Sequence, residues 1–392
     1  MSIQHIKENE KRELGAIMEL FFTDEKFKIG NQPMVGVPFL VDSEMSLLDE
    51  INDFFLRELV PDGRTKSPKT WENYAYWLRD YLLWMEENGF DWKQATRVEV
   101  SLYRNWSSEL GLKPATVNSR LTAVKRFYEW AVKEGFVEEC PIKEVKGGKK
   151  KDADADYLSH TNDEDTYTRN DLFLAEGEEL PVTLGKDEIK RIFLNVKHSR
   201  LKLMMAVMLE CGLRRAEVVR LPNSLILELE KQAQAQGPEG GEIEMLLPAY
   251  ICKNNKERTV PISYMLVMKL RQYRSTERPK FVKKYRAKHK KKEPVEFWLN
   301  RSGNPVSVGA FSTAVKDACL KAGVMGVTPH KFRHTFATEL YAITGDIRLV
   351  QKLLGHSNIH TTTIYEHTAA NDRHGFMEDY QKQVDNLIGG AL

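Results

Sequence analysis

From Ser46 onward the chain sets apolar residues at three- and four-residue steps: Leu47, Leu48, Ile51, Phe54, Phe55 and Leu59. That spacing predicts an amphipathic helix with its apolar stripe turned to a core. A second helix is predicted from Ser67 as N-cap and Pro68 in the first turn, carrying Trp77, Leu78, Tyr81, Leu82 and Met85 until Asn88-Gly89 stops it. A third covers 97–110. The fourth opens at Lys113-Pro114, turns Leu121, Val124, Phe127, Tyr128, Ala131 and Val132 inward, and ends at Gly135. Together these predict a compact helical domain over 45–143. Ahead of it, Pro33, Gly36 and Pro38 interrupt any continuous helix, so 1–44 reads as an irregular N-terminal extension with no assigned role.

Beyond Lys146 the period lapses. A basic GGKKK gives way to Asp152, Asp154, Asp156, Asp163, Glu164, Asp165 and Asp171 with few apolar neighbours, the composition of a charged linker over 144–180. Order resumes near Pro181, with an apolar helix through Leu203 to Leu209. Alternation between Glu242 and Ile262 predicts two strands around the polar turn Lys253-Asn254-Asn255-Lys256, and helices follow. The expected fold class is therefore mainly α with a small antiparallel β-sheet: a helical domain, then a mixed α/β domain over 181–392.

Composition narrows the class. The chain has 392 residues, 42% of them hydrophobic, which suits a globular protein of two or three domains. Cys140, Cys211, Cys252 and Cys319 form no CxxC pair, so neither a zinc knuckle nor a disulfide framework is suggested and a reducing cytoplasm fits. No apolar stretch approaches the roughly 20 residues needed to cross a bilayer, so a soluble protein without membrane contact is expected. Lys and Arg (58) nearly cancel Asp and Glu (56), and bulk charge does not announce a polyanionic partner. Locally it is otherwise: Glu277 to Pro294 holds nine Lys and Arg against two Glu. Such a run is either a solvated face or a phosphate contact, the latter through Lys283, Lys284, Lys290, Lys291 and Lys292.

Candidate chemistry lies in the second domain. In TPHKFRHTFATEL, Thr328 and Pro329 open a helix that puts His330 and Arg333 on one face near its N-terminus, an arrangement suited to an anion. His330 and His334 stand four apart, but Lys331 occupies the place where a zinc protease carries its glutamate, so no metal is expected. A helix starting at Asp346 closes at Gly355, and His356 emerges from its end; Tyr365 follows nine residues later. Upstream, Arg214 and Glu217 stand one helical turn apart, and Lys253 sits on the hairpin. Cationic donors, an acid and an oxygen nucleophile are the requirements of metal-free phosphoryl transfer.

In this order the pieces resemble the tyrosine recombinase (phage integrase) family, whose catalytic domains carry GLRxxE, a hairpin lysine before NKER, HxxR, LGH and a final tyrosine. The matches are Gly212-Leu213-Arg214 with Glu217, Lys253 before Asn255-Lys256-Glu257-Arg258, His330 with Arg333, Leu354-Gly355-His356, and Tyr365. The likeness covers about 180–370, and more loosely 45–143, which is similar to the family's SAM-like core-binding domain. The N-terminal extension, the acidic linker, the stretch 232–241 and the basic segment depart from compact members.

The resemblance implies that Tyr365 attacks a DNA phosphodiester to form a 3′-phosphotyrosyl link, with neither metal, ATP nor cofactor. Arg214 and Arg333 would clamp the non-bridging oxygens and His356 would add a hydrogen bond. Lys253 would protonate the leaving oxygen, His330 would accept the tyrosine proton, and Glu217 would steady Arg214. The implied partners are double-stranded DNA with inverted half-sites, a tetramer of the chain on two duplexes, and an accessory DNA-bending or directionality factor. Thr116, Asn118, Ser119, Arg120 and Lys125 offer polar groups opposite the fourth helix's apolar stripe and are the expected groove contacts. The terminal stripe Phe376, Met377, Tyr380, Val384, Leu387 and Ile388 either folds back on its own core or docks on a neighbouring protomer, and the resemblance favours docking. The expected activity is recombination for a mobile element. Alternatives are resolution of chromosome or plasmid dimers, a type IB-like topoisomerase, or a DNA-binding architectural protein without catalysis.

Overall fold

The apolar stripes sort into two units, Met1–Gly177 and Glu178–Leu392, each with its own core. The structure, a computed structural model, describes residues 18–61, 68–146, 168–176, 183–238, 243–290, 293–355 and 376–388.

In the first unit, β1 (Glu19–Phe22) pairs antiparallel with β4 (Pro38–Val41), and β2 (Lys28–Ile29) with β3 (Gln32–Pro33). Within the extension read as irregular, these strands are regular structure, and Val37 and Leu40 belong to the core. The helix expected from Ser46 starts later, as α1 (Asp49–Asp53), because Leu47 bridges to Val41 and the Leu48 amide bonds to the Leu40 carbonyl. It widens into a π-turn over Phe54–Leu59 that buries Phe54, Phe55 and Leu59. Three helices complete the bundle: α2 (Pro68–Glu87), α3 (Arg97–Glu109) and α4 (Pro114–Lys133). Thr96 and Glu99 close a capping box at the start of α3.

Both ends of the stretch read as a charged linker are structured: β5 (Glu144–Lys146) pairs with β6 (Thr168–Asn170), and Leu172 enters the first core. Two asparagines hold the flanking segments. Asn52 pairs with both backbone groups of Leu40, at 2.7 and 2.9 Å, and Asn118 does the same for Leu174, at 2.8 and 2.9 Å. A side-chain amide has the donor and acceptor of a peptide group, so each can bond both backbone groups of one residue in a neighbouring segment.

The second unit contains α5 (Lys186–Asn195), α6 (Ser199–Cys211), α7 (Arg215–Val219), α8 (Asn223–Gln236), α9 (Tyr264–Thr276), α10 (Arg278–His289), α11 (Val308–Lys321), α12 (Pro329–Thr344), α13 (Ile347–Leu354) and α14 (Phe376–Ile388). Between α8 and α9, β7 (Ile243–Leu247) and β8 (Arg258–Ile262) pair antiparallel from Ile243↔Ile262 to Leu247↔Arg258. Ile243, Met245 and Leu247 point inward, as period-two alternation requires. The helix α6 is buried from Leu203 to Cys211 and α12 packs along it.

The basic segment forms α10. Its first residue, Arg278, is buried and donates from Nε to the Phe297 carbonyl at 2.9 Å and from Nη2 to that of Glu296 at 2.9 Å, while pairing with Glu293. Lys280, Lys283, Lys284, Arg286 and Lys288 are thus exposed on an anchored helix rather than a loose loop.

Within the single chain the terminal helix takes the fold-back arrangement. Tyr380, Val384 and Ile388 of α14 are buried in the second unit's own core. The Tyr380 ring meets Phe336 edge-on at 5.6 Å, and its hydroxyl donates to the Leu209 carbonyl at 2.6 Å. That carbonyl lies in the last turn of α6, where the helix leaves acceptors unpaired. Among the described residues, no helix is long and apolar enough to cross a membrane.

Candidate active site

The site is assembled where α6 ends. Gly212 closes that helix at φ 63°, and a Cβ there would lie 2.3 Å from the Phe336 ring, so both backbone hand and space demand glycine. The chain then turns into α7 with Arg214 as N-cap. Its amide donates to Glu217 Oε2 at 2.7 Å and its Nη1 to Oε1 at 2.9 Å. Glu217 is 1% exposed and also receives Arg258, Nη1 to Oε1 at 2.9 Å and Nη2 to Oε2 at 2.6 Å. Burial alone would raise this carboxyl's pKa; the bonds and charge of Arg258, then those of Arg214, outweigh it and bring it down to about 2.

Arg333, on the first turns of α12, is buried and donates to the Gly212 carbonyl from Nη1 and to the Leu354 carbonyl from Nη2, both at 2.6 Å. Arg258 Nε reaches the Leu353 carbonyl and Arg214 Nη2 that of Gly355, each at 3.0 Å. Three successive carbonyls at the C-terminus of α13 thus each accept from a different guanidinium. This is the end where a helix presents unpaired acceptors and partial negative charge. Two of the three arginines pair with Glu217 and Arg333 bonds to carbonyls, so three guanidiniums stand with one ionised carboxylate and the cluster keeps a net positive charge suited to an anion.

His330 sits beside this cluster on α12. Its pKa is lowered, first by the atoms crowded around the ring despite its exposed edge, then by the positive charges of Arg215, His334, Arg333 and Arg214. The neutral imidazole, able to accept a proton, is therefore favoured. Thr328 is the N-cap residue of α12 but gives no side-chain hydrogen bond. Lys253 is exposed in a short 3₁₀ turn between β7 and β8. His356 and Tyr365 lie outside the described residues, the first of them directly after Gly355.

The structure therefore brings Arg214, Glu217 and Arg333 into one network and adds Arg258, to which no role was given from sequence. Its signal was the arginine opening the strand after a polar turn, but what it bonds across the fold could not be read there. Among the described residues, no cluster of three or more metal-ligating side chains is present.

The groove candidates on α4 fare differently. Asn118 is buried and committed to Leu174 and to Glu176 Oε1 at 2.7 Å, which removes it from the groove contacts. Arg120 is tied to Asp80 at 3.3 Å, and Lys125 to Glu144 at 2.6 Å and Glu129 at 3.3 Å. The Ser119 hydroxyl bonds to the Ala115 carbonyl, and Thr116 is exposed. On α10, Lys283 and Lys290 are exposed and Lys284 donates to the Arg301 carbonyl at 2.9 Å; Lys291 and Lys292 lie outside the described residues.

Residues 183–372 match the model of the phage integrase family, and 54–135 that of its N-terminal SAM-like domain. The chain belongs to the tyrosine recombinase (phage integrase) family, and its class is that of the tyrosine site-specific recombinases. Relatives include the tyrosine recombinase XerD of Oceanobacillus iheyensis, 26% identical over 81% of this chain and 93% of that protein. The XerD of Caulobacter vibrioides is 29% identical over 81% and 91%, and the XerC of Proteus mirabilis 28% over 80% and 88%. In fold, the chain resembles XerH bound to a palindromic difH substrate (TM-score 0.55, 18% identity, 82% of this chain and 80% of that one). A lambda integrase dimer bound to a COC′ core site is similarly alike (TM-score 0.55, 16% identity, 83% and 97%).

Proposed function

We propose that this chain recombines DNA for a mobile element, cutting and rejoining strands through a 3′-phosphotyrosyl intermediate on Tyr365 without metal or ATP. The observation that carries the chemistry is the net-positive arginine cluster on the α13 carbonyls, one residue before His356 and ten before Tyr365. In this reading Arg214 and Arg333 hold the non-bridging oxygens of the phosphate and neutralise charge that grows in the transition state. His330, kept neutral, accepts the proton of Tyr365, a phenol otherwise mostly protonated at neutral pH. Lys253 donates to the leaving 5′ oxygen and His356 adds a bond to the phosphate. The ester conserves the energy of the broken bond, and attack by a second strand's 5′-hydroxyl reverses the step.

Duplex DNA with inverted half-sites is the proposed substrate and a tetramer on two duplexes the proposed assembly; the DNA-bound state of the fold's structural neighbours supports the first. The mobile-element assignment is supported by the added segments, since the chain is longer than the XerC and XerD relatives it matches. Those same relatives favour a second reading, resolution of chromosome or plasmid dimers. Repeats flanking the gene at an element boundary support the first reading, and a lone chromosomal locus the second.

The chemistry is tested with a nicked suicide duplex in excess EDTA. Wild-type protein is expected to form a covalent complex on a denaturing gel, and Tyr365→Phe to bind the duplex without forming it. A covalent band that persists in the variant rules out Tyr365 as nucleophile.

A further inference from the structure

Arg258 enters none of the steps above, yet it joins the parts that perform them. Its side chain is 9% exposed. One edge of the guanidinium grips both oxygens of Glu217, at 2.9 and 2.6 Å, while Nε faces the other way and donates to the Leu353 carbonyl at 3.0 Å. Nη1 also lies 3.6 Å from Cys252 Sγ, the residue before Lys253. Packing is tight on the far side too: a Cβ on Gly355 would stand 3.0 Å from Arg258 Cδ. One side chain thus touches the carboxylate that holds Arg214, the last turn before His356, and the base of the turn that bears Lys253.

Resting on the reading of Arg214 and Tyr365 given above, we infer that Arg258 is a positioning residue for strand cleavage: through Glu217 it orients Arg214, and through Leu353 it sets the exit of α13. Glu217 is buried, so both its oxygens must be satisfied. With Arg258 present, Arg214 supplies Nη1 and its own amide to that carboxylate and spends Nη2 on Gly355. Without Arg258 each oxygen keeps one bond from Arg214, Nη1 on Oε1 and the amide on Oε2, and loses its second, so the carboxylate shifts toward the remaining guanidinium and draws Arg214 away from the α13 terminus. Removing Arg258 also takes one positive charge from the group it forms with Arg214 and Glu217, so that group's attraction for phosphate falls. A lysine cannot substitute fully, because a single ammonium lacks the planar fork and the rearward Nε–H.

The test compares Arg258→Gln and Arg258→Lys with wild type in single-turnover formation of the Tyr365–DNA complex, alongside duplex affinity and thermal unfolding. Misplacing a catalytic group by about 1 Å costs up to about 100-fold in rate. Arg258→Gln is therefore expected to cleave about 10- to 100-fold more slowly, on the order set by that displacement, with affinity little changed because backbone contacts elsewhere dominate it. Arg258→Lys is expected to recover part of the rate. Combining Arg258→Gln with Arg214→Lys should cost no more than the larger single loss, since both act on one interaction. Wild-type cleavage by Arg258→Gln, or losses that multiply in the pair, overturns the inference. If Arg258→Gln fails to fold, Arg258→Lys carries the same comparison, and a wild-type rate there overturns it equally. Normal cleavage by Arg214→Ala would instead remove the site reading itself, an outcome distinct from a silent Arg258.

Discussion

Glu210 and Glu217 are both 1% exposed, on either side of the turn at Gly212, yet they are driven in opposite directions. Glu217 meets two guanidiniums and is held ionised. Among the described residues, Glu210 receives the Ser263 amide and hydroxyl, at 2.6 and 3.2 Å, with Asp385 of α14 nearby; burial first, then that second carboxylate, pushes it up to about 8, and burial raises Asp385 to about 6. The sign of the linkage follows. Between its ordinary value of 4.5 and about 8, the folded protein holds a proton on Glu210 that the unfolded chain has released, so stability falls as pH rises through that window. Glu217 does the reverse, adding stability above its ordinary value that is lost as pH falls toward about 2. Glu210→Gln keeps an acceptor for the Ser263 amide and removes the titration. Urea midpoints measured from about pH 6.5 to about pH 8.5, a range above the raised value of Asp385 that still spans that of Glu210, should decline for wild type and flatten for the variant; equal slopes would show that Glu210 is not the group responsible.

Among the elements, α10 is the one whose role changed most between pattern and structure. A run of like charges reads equally as a solvated loop or a phosphate contact, because charge spacing carries no information on what holds it. Arg278 decides the backbone: buried against the Phe297 and Glu296 carbonyls, it fixes the helix and leaves Lys283, Lys288 and Lys290 exposed. If this helix lies against DNA phosphates, Lys283→Gln, Lys288→Gln and Lys290→Gln together should weaken binding alike on all duplex sequences. The dependence of log K on log salt should flatten by up to about one unit for each phosphate that is no longer neutralised. A slope identical to wild type, measured by anisotropy across a salt series, returns the helix to a solvated face. The fourth helix of the first unit, α4, teaches the converse. Its polar face looked free for a groove, but residues 171–176 and Glu144 return to cover Asn118 and Lys125.

At the scale of the whole molecule, α14 belongs to the unit that precedes it. Removing residues 376–392 would strip three buried side chains, Tyr380, Val384 and Ile388, from the second core. At about 1.5–3 kcal/mol for each such side chain, the loss is on the order of 5 kcal/mol, visible as a lower Tm and urea midpoint. An unchanged Tm with lost cooperativity on paired half-sites would show instead that the helix serves a second copy. Periodicity alone determined the helices α2, α3 and α4, the paired strands β7 and β8, and the apolar stripe of α14, because each is a local pattern that needs only one face buried. The motifs around Arg214, Glu217 and Arg333 were legible for a similar reason: their order along the chain is itself the signal. Tertiary structure alone decided which core receives α14, how Asn52 and Asn118 tie flanking segments to the first unit, and that Arg258 completes the arginine cluster. Those contacts join residues far apart in sequence, such as Arg258 with Glu217 and Leu353, and both the burial of a carboxylate and the partner that ionises it exist only once the chain has closed around them.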